Sequence, residues 1–73
     1  MSWNYRVLKH VTETEEFYQI HEVYYHGDTY VIDIYACTEE ASSPYGETVE
    51  ELKENLKMYF EAFDLPVIPY DDI

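Results

Sequence analysis

The apolar and polar positions along the chain predict strands first and a helix afterwards. Apolar residues alternate with polar ones over residues 3–11, and aromatic-rich runs follow over 17–26 and 29–37. Alternation of this kind is typical of strands with one buried face. Short polar turns at 12–16 and at His26-Gly27-Asp28 separate the three runs. The pattern therefore predicts a three-stranded antiparallel meander.

The second and third predicted strands differ in their two faces. Both alternating sets of residues 17–26 carry apolar members, which predicts a central strand covered at least partly on both sides. In the third strand one set is wholly apolar, and Asp33 interrupts the other. The apolar set, which we expect to lie under the helix, is Tyr30, Ile32, Ile34 and Ala36.

A change of hydrophobic period marks the helix. Thr48 and Glu51 have the spacing of a capping box, and Pro66 ends the helix near Asp64. Apolar residues at three- and four-residue spacing form a stripe, which we interpret as core, with a groove for a partner as the alternative. The stripe consists of Val49, Leu52, Leu56, Tyr59, Phe60 and Phe63.

After the helix, residues 65–70 are apolar but contain two prolines, which predicts an extended tail. The pattern leaves open whether this tail pairs as an edge strand. The 73 residues contain no repeat or linker. We therefore expect a single α+β domain over residues 1–73: a three-stranded antiparallel meander packed on one C-terminal helix, followed by the tail.

The net charge of the chain favours some classes of binding partner and argues against others. Sixteen acidic residues against four basic ones give a net charge of -12. This charge argues against direct nucleic-acid binding and against an anionic membrane surface, since both require cationic side chains. It suits a basic protein partner. The alternative is that the charge only keeps a tyrosine-rich surface soluble.

The chain carries no pattern of export or membrane insertion. No apolar run approaches the roughly 20 residues of a membrane span. The N-terminal residues lack the apolar core of a signal peptide. Cys37 is the only cysteine, so an internal disulfide is excluded. We therefore expect a cytoplasmic protein.

Few residues suggest catalysis or metal binding. The spacing of His10, His21 and His26 matches no zinc pattern. Nothing near Cys37 in sequence would lower its pKa, so a nucleophilic role is not expected. Asp33 with Glu22 is the one candidate acid–base pair, and a solvated aspartate is the simpler interpretation. The sequence thus predicts no enzyme, no metal and no cofactor.

The start of the helix carries a family resemblance. Gly46-Glu47-Thr48-Val49-Glu50-Glu51-Leu52 resembles the G-(D/E)-T-x-E-E-(A/L) segment of HicB-like antitoxin domains. Residues 3–7 and 20–25 are similar to short uncharacterised bacterial members that stand alone. The resemblance implies strands, this helix and an extended segment, in a non-enzymatic protein-binding module whose basic partner is a toxin-like RNase. The family's Pro-Gly-Cys segment is absent, and we expect no DNA-binding part.

The last expectation is self-association. One helix covers one face of a three-stranded sheet, and the opposite face would be too apolar for a monomer to leave open. Interfaces also favour tyrosine, of which the chain has nine. The predicted interface residues are Leu8, Phe17, Val23, Tyr25, Val31 and Tyr35. We therefore predict a homo-oligomer, most simply a dimer, and the alternative function is a self-associating structural domain without a toxin partner.

Overall fold

The computed structural model describes residues 2–27 and 33–73 as a four-stranded sheet with one α-helix. The strands are β1 (Ser2–Val11), β2 (Glu16–Tyr25), β3 (Ile34–Cys37) and β4 (Ile68–Pro69), and the helix is α1 (Val49–Glu61). Short 3₁₀ helices follow α1 (Ala62–Asp64) and β4 (Tyr70–Asp72). The strand order is β3-β2-β1-β4, so the α+β class and the antiparallel meander are confirmed, and a fourth strand is added.

The β1–β2 hairpin is the longest regular feature. Its antiparallel register runs from Ser2 opposite Tyr25 to Val11 opposite Glu16. The turn is closed by a hydrogen bond of 2.9 Å from the Thr12 backbone N–H to the Glu15 carbonyl. Both strands begin within a residue of the predicted position, because alternation over ten residues is a strong signal.

The third strand is shorter than predicted. The register shifts opposite Tyr24 and Tyr25, and Asp33 lies before the strand with a φ of 64°. A left-handed residue and a shifted register are typical of an irregular strand end. Ala36 pairs with Tyr24 on the helix side of the sheet, as predicted. Ile34 instead packs on the opposite face, and the prediction for Tyr30, Val31 and Ile32 lies outside the described residues.

The predicted helix start is confirmed. The Glu51 backbone N–H donates to Thr48 Oγ1 at 3.1 Å. The Glu51 carboxylate accepts the backbone N–H of Glu47 at 2.9 Å, so the box is reciprocal but displaced by one residue. A Cβ on Gly46 would lie 2.8 Å from Leu52 Cα. The chain therefore approaches the helix too closely for any residue larger than glycine.

Helix α1 is rotated relative to the prediction. Tyr59 is buried, and its ring lies 4.2 Å from the ring of Tyr5 on β1. The Asn55 side chain donates to the Tyr5 hydroxyl at 3.2 Å and accepts the Tyr45 backbone N–H at 2.9 Å. Ala62, just beyond α1, is also buried. Helix α1 thus contacts the sheet through a narrow line of side chains around Asn55 and Tyr59.

Most of the predicted stripe is consequently exposed. The prediction that the stripe is buried as core is wrong for four of its residues. Their exposed fractions are Val49 67%, Leu56 37%, Phe60 66% and Phe63 65%. Leu52 is half-buried, and only Tyr59 is buried. The apolar arc of the helix is wider than the line of contact with the sheet.

The C-terminal segment covers the face that was expected to stay open. β4 pairs in parallel with β1 through Leu8 and Ile68, so residues of the tail do form an edge strand. Leu8, Val23 and Tyr25 are fully buried, and Ile68 and Tyr70 pack against them. The expectation that this face is left open in a monomer is therefore wrong for Leu8, Val23 and Tyr25.

The other predicted interface residues have different surroundings. Phe17 is half-buried and stacks on the ring of His10 at 4.9 Å. Tyr35 is exposed, and Val31 lies outside the described residues. Self-association itself stays a prediction. Within residues 2–27 and 33–73, no helix has both the length and the apolar character needed to cross a membrane.

Candidate protein-binding surface

The clearest candidate surface is the α1 stripe, which we define as Val49, Leu56, Phe60 and Phe63. Spacings of seven, four and three residues place these side chains along one side of α1 and of the following 3₁₀ helix, which contains Phe63. The rings of Phe60 and Phe63 lie 6.4 Å apart, so the exposed aromatic area is continuous at that end. The stripe is available because α1 rests on the sheet through a different line of residues.

Charged residues flank the α1 stripe on the outer surface of the helix. Lys53 lies 3.8 Å from Glu50, and Lys57 lies 3.0 Å from Glu54. These exposed pairs contribute little stability, on the order of tenths of a kcal/mol. Both lysines of the helix are paired in this way. Within the described part of the chain, Glu51 and Glu61 have no lysine partner, so the surface of the helix is negative.

A groove lies on another side of α1, between the first half of β1 and the end of the helix. Its volume is about 410 Å³, and we call it the β1–α1 groove. The lining residues are Trp3, Asn4, Tyr5, Met58, Glu61, Asp64 and Leu65. The rings of Trp3 and Tyr5 meet edge to face, with centroids 5.2 Å apart and an interplanar angle of 86°. Apolar walls and two carboxylates thus share one concave surface.

On the opposite face of the sheet, a buried polar network fastens the C-terminal segment. Arg6 donates through Nη1 to the Tyr25 hydroxyl at 3.0 Å and through Nη2 to the Pro66 carbonyl at 2.7 Å. The Tyr25 hydroxyl donates to Asn4 Oδ1 at 2.7 Å. A buried guanidinium needs such partners. Arg6 therefore ties the segment after α1 to the sheet.

Two of the three histidines belong to the same face. The Nε2 atoms of His10 and His21 lie 2.9 Å apart, and His21 Nδ1 lies 2.9 Å from the Thr38 carbonyl. Since that carbonyl only accepts, Nδ1 carries the proton and His21 Nε2 accepts from His10. Tyr70 stacks on His10 at 4.5 Å. Burial lowers the pKa of His21, the Thr38 carbonyl opposes this shift, and the nearby His10 lowers the pKa further.

The remaining sequence candidates are not assembled into a reactive site. His26 lies in the turn after β2, 4.6 Å from the ring of Tyr35. Burial raises the pKa of the Cys37 thiol, which reduces the thiolate fraction. Asp33 is exposed and lies directly before β3 rather than inside a strand. Across the part of the chain that the structure describes, no three His, Cys, Asp or Glu side chains are grouped so that they could hold a metal ion.

Sequence reasoning missed the β1–α1 groove and the buried polar network. The groove had one signal in the sequence: Glu61 and Asp64 stand near the end of a helix that has no basic residue in its last turn. Acidic residues are unfavourable there, which suggests a role other than stability. Comparisons with protein families, with curated proteins and with solved structures find no match to this chain. The HicB-like resemblance therefore stays a prediction.

Proposed function

We propose that the protein is a non-enzymatic protein-binding module whose α1 stripe contacts a basic protein. The narrower form of the proposal is a stand-alone HicB-like antitoxin-type domain bound to a toxin-like RNase. The narrower form depends on the resemblance at the helix start. The broader form is supported by one observation: Val49, Leu56, Phe60 and Phe63 are exposed along α1 and the 3₁₀ helix that follows it.

The α1 stripe has the spacing used when a helix binds in the groove of another protein. Such helices contact their partners through residues separated by three, four and seven positions. Full burial of one Leu or Phe side chain contributes about 1.5–3 kcal/mol. Four exposed members of the stripe therefore provide enough apolar surface to anchor a partner, whereas scattered single residues would not.

The charge of the chain supports a basic partner over a second copy. The net charge of -12 repels another copy of the chain and attracts a cationic surface. The two cases respond oppositely to salt. Screening weakens a complex with a basic protein and strengthens one between two acidic copies.

The experiment compares two double variants, each of which replaces two exposed large hydrophobic residues with serine. Phe60→Ser/Phe63→Ser alters the α1 stripe, and Val11→Ser/Tyr18→Ser alters exposed residues of the sheet. Each protein is immobilised and exposed to lysate at low and high salt, and retained proteins are identified and purified for reconstitution. We expect a basic protein to bind the wild type and the sheet variant at low salt, and to be lost from the stripe variant.

Three results would overturn the proposal: no reconstituted complex, an acidic partner, or equal binding by the stripe variant. Sedimentation in low and moderate salt tests self-association as the second candidate. The exposed rings of Phe60 and Phe63 favour this candidate as well, since a second copy would also bury them. A dimer that tightens with salt and is lost in Phe60→Ser/Phe63→Ser would assign the stripe to a second copy.

A further inference from the structure

We propose that the β1–α1 groove binds the guanidinium group of an arginine side chain. This inference rests on the proposed function and deepens it, because it names the residue type that a basic partner inserts. It is carried by three features of the groove: its aromatic wall, its two carboxylates and its position at the end of a helix.

The aromatic wall is the first feature. Trp3 is 41% exposed and meets Tyr5 edge to face, so the indole keeps an open surface at the groove. Guanidinium groups stack on aromatic faces, and tryptophan is the strongest partner for such cation–π contacts. Met58 and Leu65 also line the groove and offer apolar surface to the aliphatic stem of an arginine.

The two carboxylates are the second feature. Glu61 and Asp64 line the groove beside these apolar side chains. Neither carboxylate forms an ion pair with another residue of the described part of the chain. A guanidinium binds carboxylates through paired N–H donors, which gives both strength and orientation. The groove thus offers carboxylates to the guanidinium group and apolar walls to the aliphatic stem of the same arginine side chain.

The third feature is the helix end. Glu61 is the last residue of α1, Asp64 ends the following 3₁₀ helix, and the last turn of α1 has no basic residue. The carbonyl end of a helix is itself partly negative, so carboxylates placed there destabilise the free protein. A bound cation reverses this effect. Residues that oppose stability in the free state are common where a protein binds a ligand.

Arginine fits these features better than lysine. The lysine ammonium is compact and strongly hydrated, so it gains less from stacking on a ring and cannot bind a carboxylate through a planar fork. The groove volume of about 410 Å³ lies within the range of small-ligand sites, roughly 300–1,000 Å³, which leaves room for the whole side chain.

Trp3 is the only tryptophan of the chain, so its fluorescence reports directly on the groove. N-acetyl-arginine amide is titrated against the uncharged analogue N-acetyl-citrulline amide and against N-acetyl-lysine amide. The Trp3 indole N–H resonance is followed by NMR in the same titrations. We expect the arginine amide to bind with a Kd on the order of millimolar, and citrulline and lysine at least about tenfold more weakly.

Matched variants separate the groove from the general acidity of the chain. Glu61→Gln/Asp64→Asn removes the groove charges, and Glu13→Gln/Glu40→Gln removes two exposed charges elsewhere. We expect the groove variant to lose arginine binding and to gain more thermal stability than the control. Equal binding of citrulline or lysine, or no change in either Trp3 signal several-fold above the expected Kd, would overturn the inference.

The same variants distinguish this inference from the proposed function. If Glu61→Gln/Asp64→Asn keeps the basic partner while Phe60→Ser/Phe63→Ser loses it, the groove is not a partner contact and the proposed function stands. If both variants keep the partner, both proposals fail. Loss of the partner from both variants, together with arginine binding by the wild type, supports the two proposals jointly.

Discussion

The two faces of the sheet are covered in different ways. Under the C-terminal segment, Leu8, Val23 and Tyr25 are fully buried, and the polar side chains of Arg6 and His21 are enclosed with them. On the α1 side, by contrast, Val7 is the only buried residue of β1, β2 and β3, and Tyr59 is the only buried residue of the helix. A two-residue strand with a short 3₁₀ helix thus seals its face more completely than a 13-residue helix does.

The difference follows from the shape of the covering elements. β4 joins the sheet by pairing with β1, and Tyr70 then crosses the face to stack on His10. A helix is a cylinder, so it touches a sheet along a line and leaves both flanks in solvent unless other elements cover them. The two flanks of α1 carry the features that the C-terminal face lacks: the exposed α1 stripe and the β1–α1 groove.

The largest predicted effect tests this comparison directly. Leu8→Ala is expected to destabilise the protein by about 2–5 kcal/mol, because it opens a cavity in the sealed face. Leu56→Ala on the α1 stripe is expected to cost less than about 1 kcal/mol, since Leu56 is partly exposed and alanine favours the helix. Urea denaturation of both variants measures the two free energies of unfolding. Equal losses would mean that α1 buries its stripe in solution.

The regular elements could be predicted from the sequence because each had a local signal. Alternation over ten residues defines β1 and β2, and the Thr48–Glu51 pair defines the start of α1. Pro66 limits the helix, and the extended tail follows it. These signals depend on neighbours in sequence, so no tertiary information was needed.

The faces of α1 and the sealing of the second sheet face could not be predicted in the same way. The apolar arc of α1 is wide, and its pattern does not say which part meets the sheet; polar Asn55 in fact bonds to Tyr5. β4 is two residues long and has no period to detect. Arg6 and His21 are polar, and their burial depends on partners far away in sequence, such as the Pro66 carbonyl.

The second prediction concerns pH and the sealed face. The pKa of His21 in the folded protein is lowered, chiefly by burial, so the unfolded chain binds more protons. The contribution of His21 to stability is therefore complete above about pH 6.5, the unfolded value, and is lost as pH falls toward the folded pKa. Protonation places N–H groups on both nitrogens of His21, so it can no longer accept from His10.

His21→Gln tests this dependence. At pH 8 the substitution should cost about 1–3 kcal/mol, because the variant cannot reproduce all buried hydrogen bonds of the imidazole. The difference in unfolding free energy between wild type and variant should shrink as pH falls from 7 toward 5. The charged and titratable groups on this face are Arg6, His10, Tyr25, Cys37 and Tyr70, all retained in the variant. A constant difference, or one matched by the exposed-residue variant His26→Gln, would contradict the assignment.

The smallest predicted effect concerns the start of α1. Thr48→Ala should destabilise the protein by about 1 kcal/mol, because the Glu51 N–H loses its bond to Thr48 Oγ1. Thr48→Ser keeps the acceptor oxygen and should cost less, which makes it the matched control. Both free energies are measured by urea denaturation at pH 8, where the His21 contribution is complete.

Hydrogen exchange in Thr48→Ala tests whether the two faces of the sheet are independent. The buried network around Arg6 lies on the side of the sheet opposite to α1. The protection of backbone amides around Arg6 should therefore fall only as far as global stability falls. If Thr48→Ala instead selectively lowered the protection of amides around Arg6, the two faces would be coupled, and the helix would contribute to sealing both.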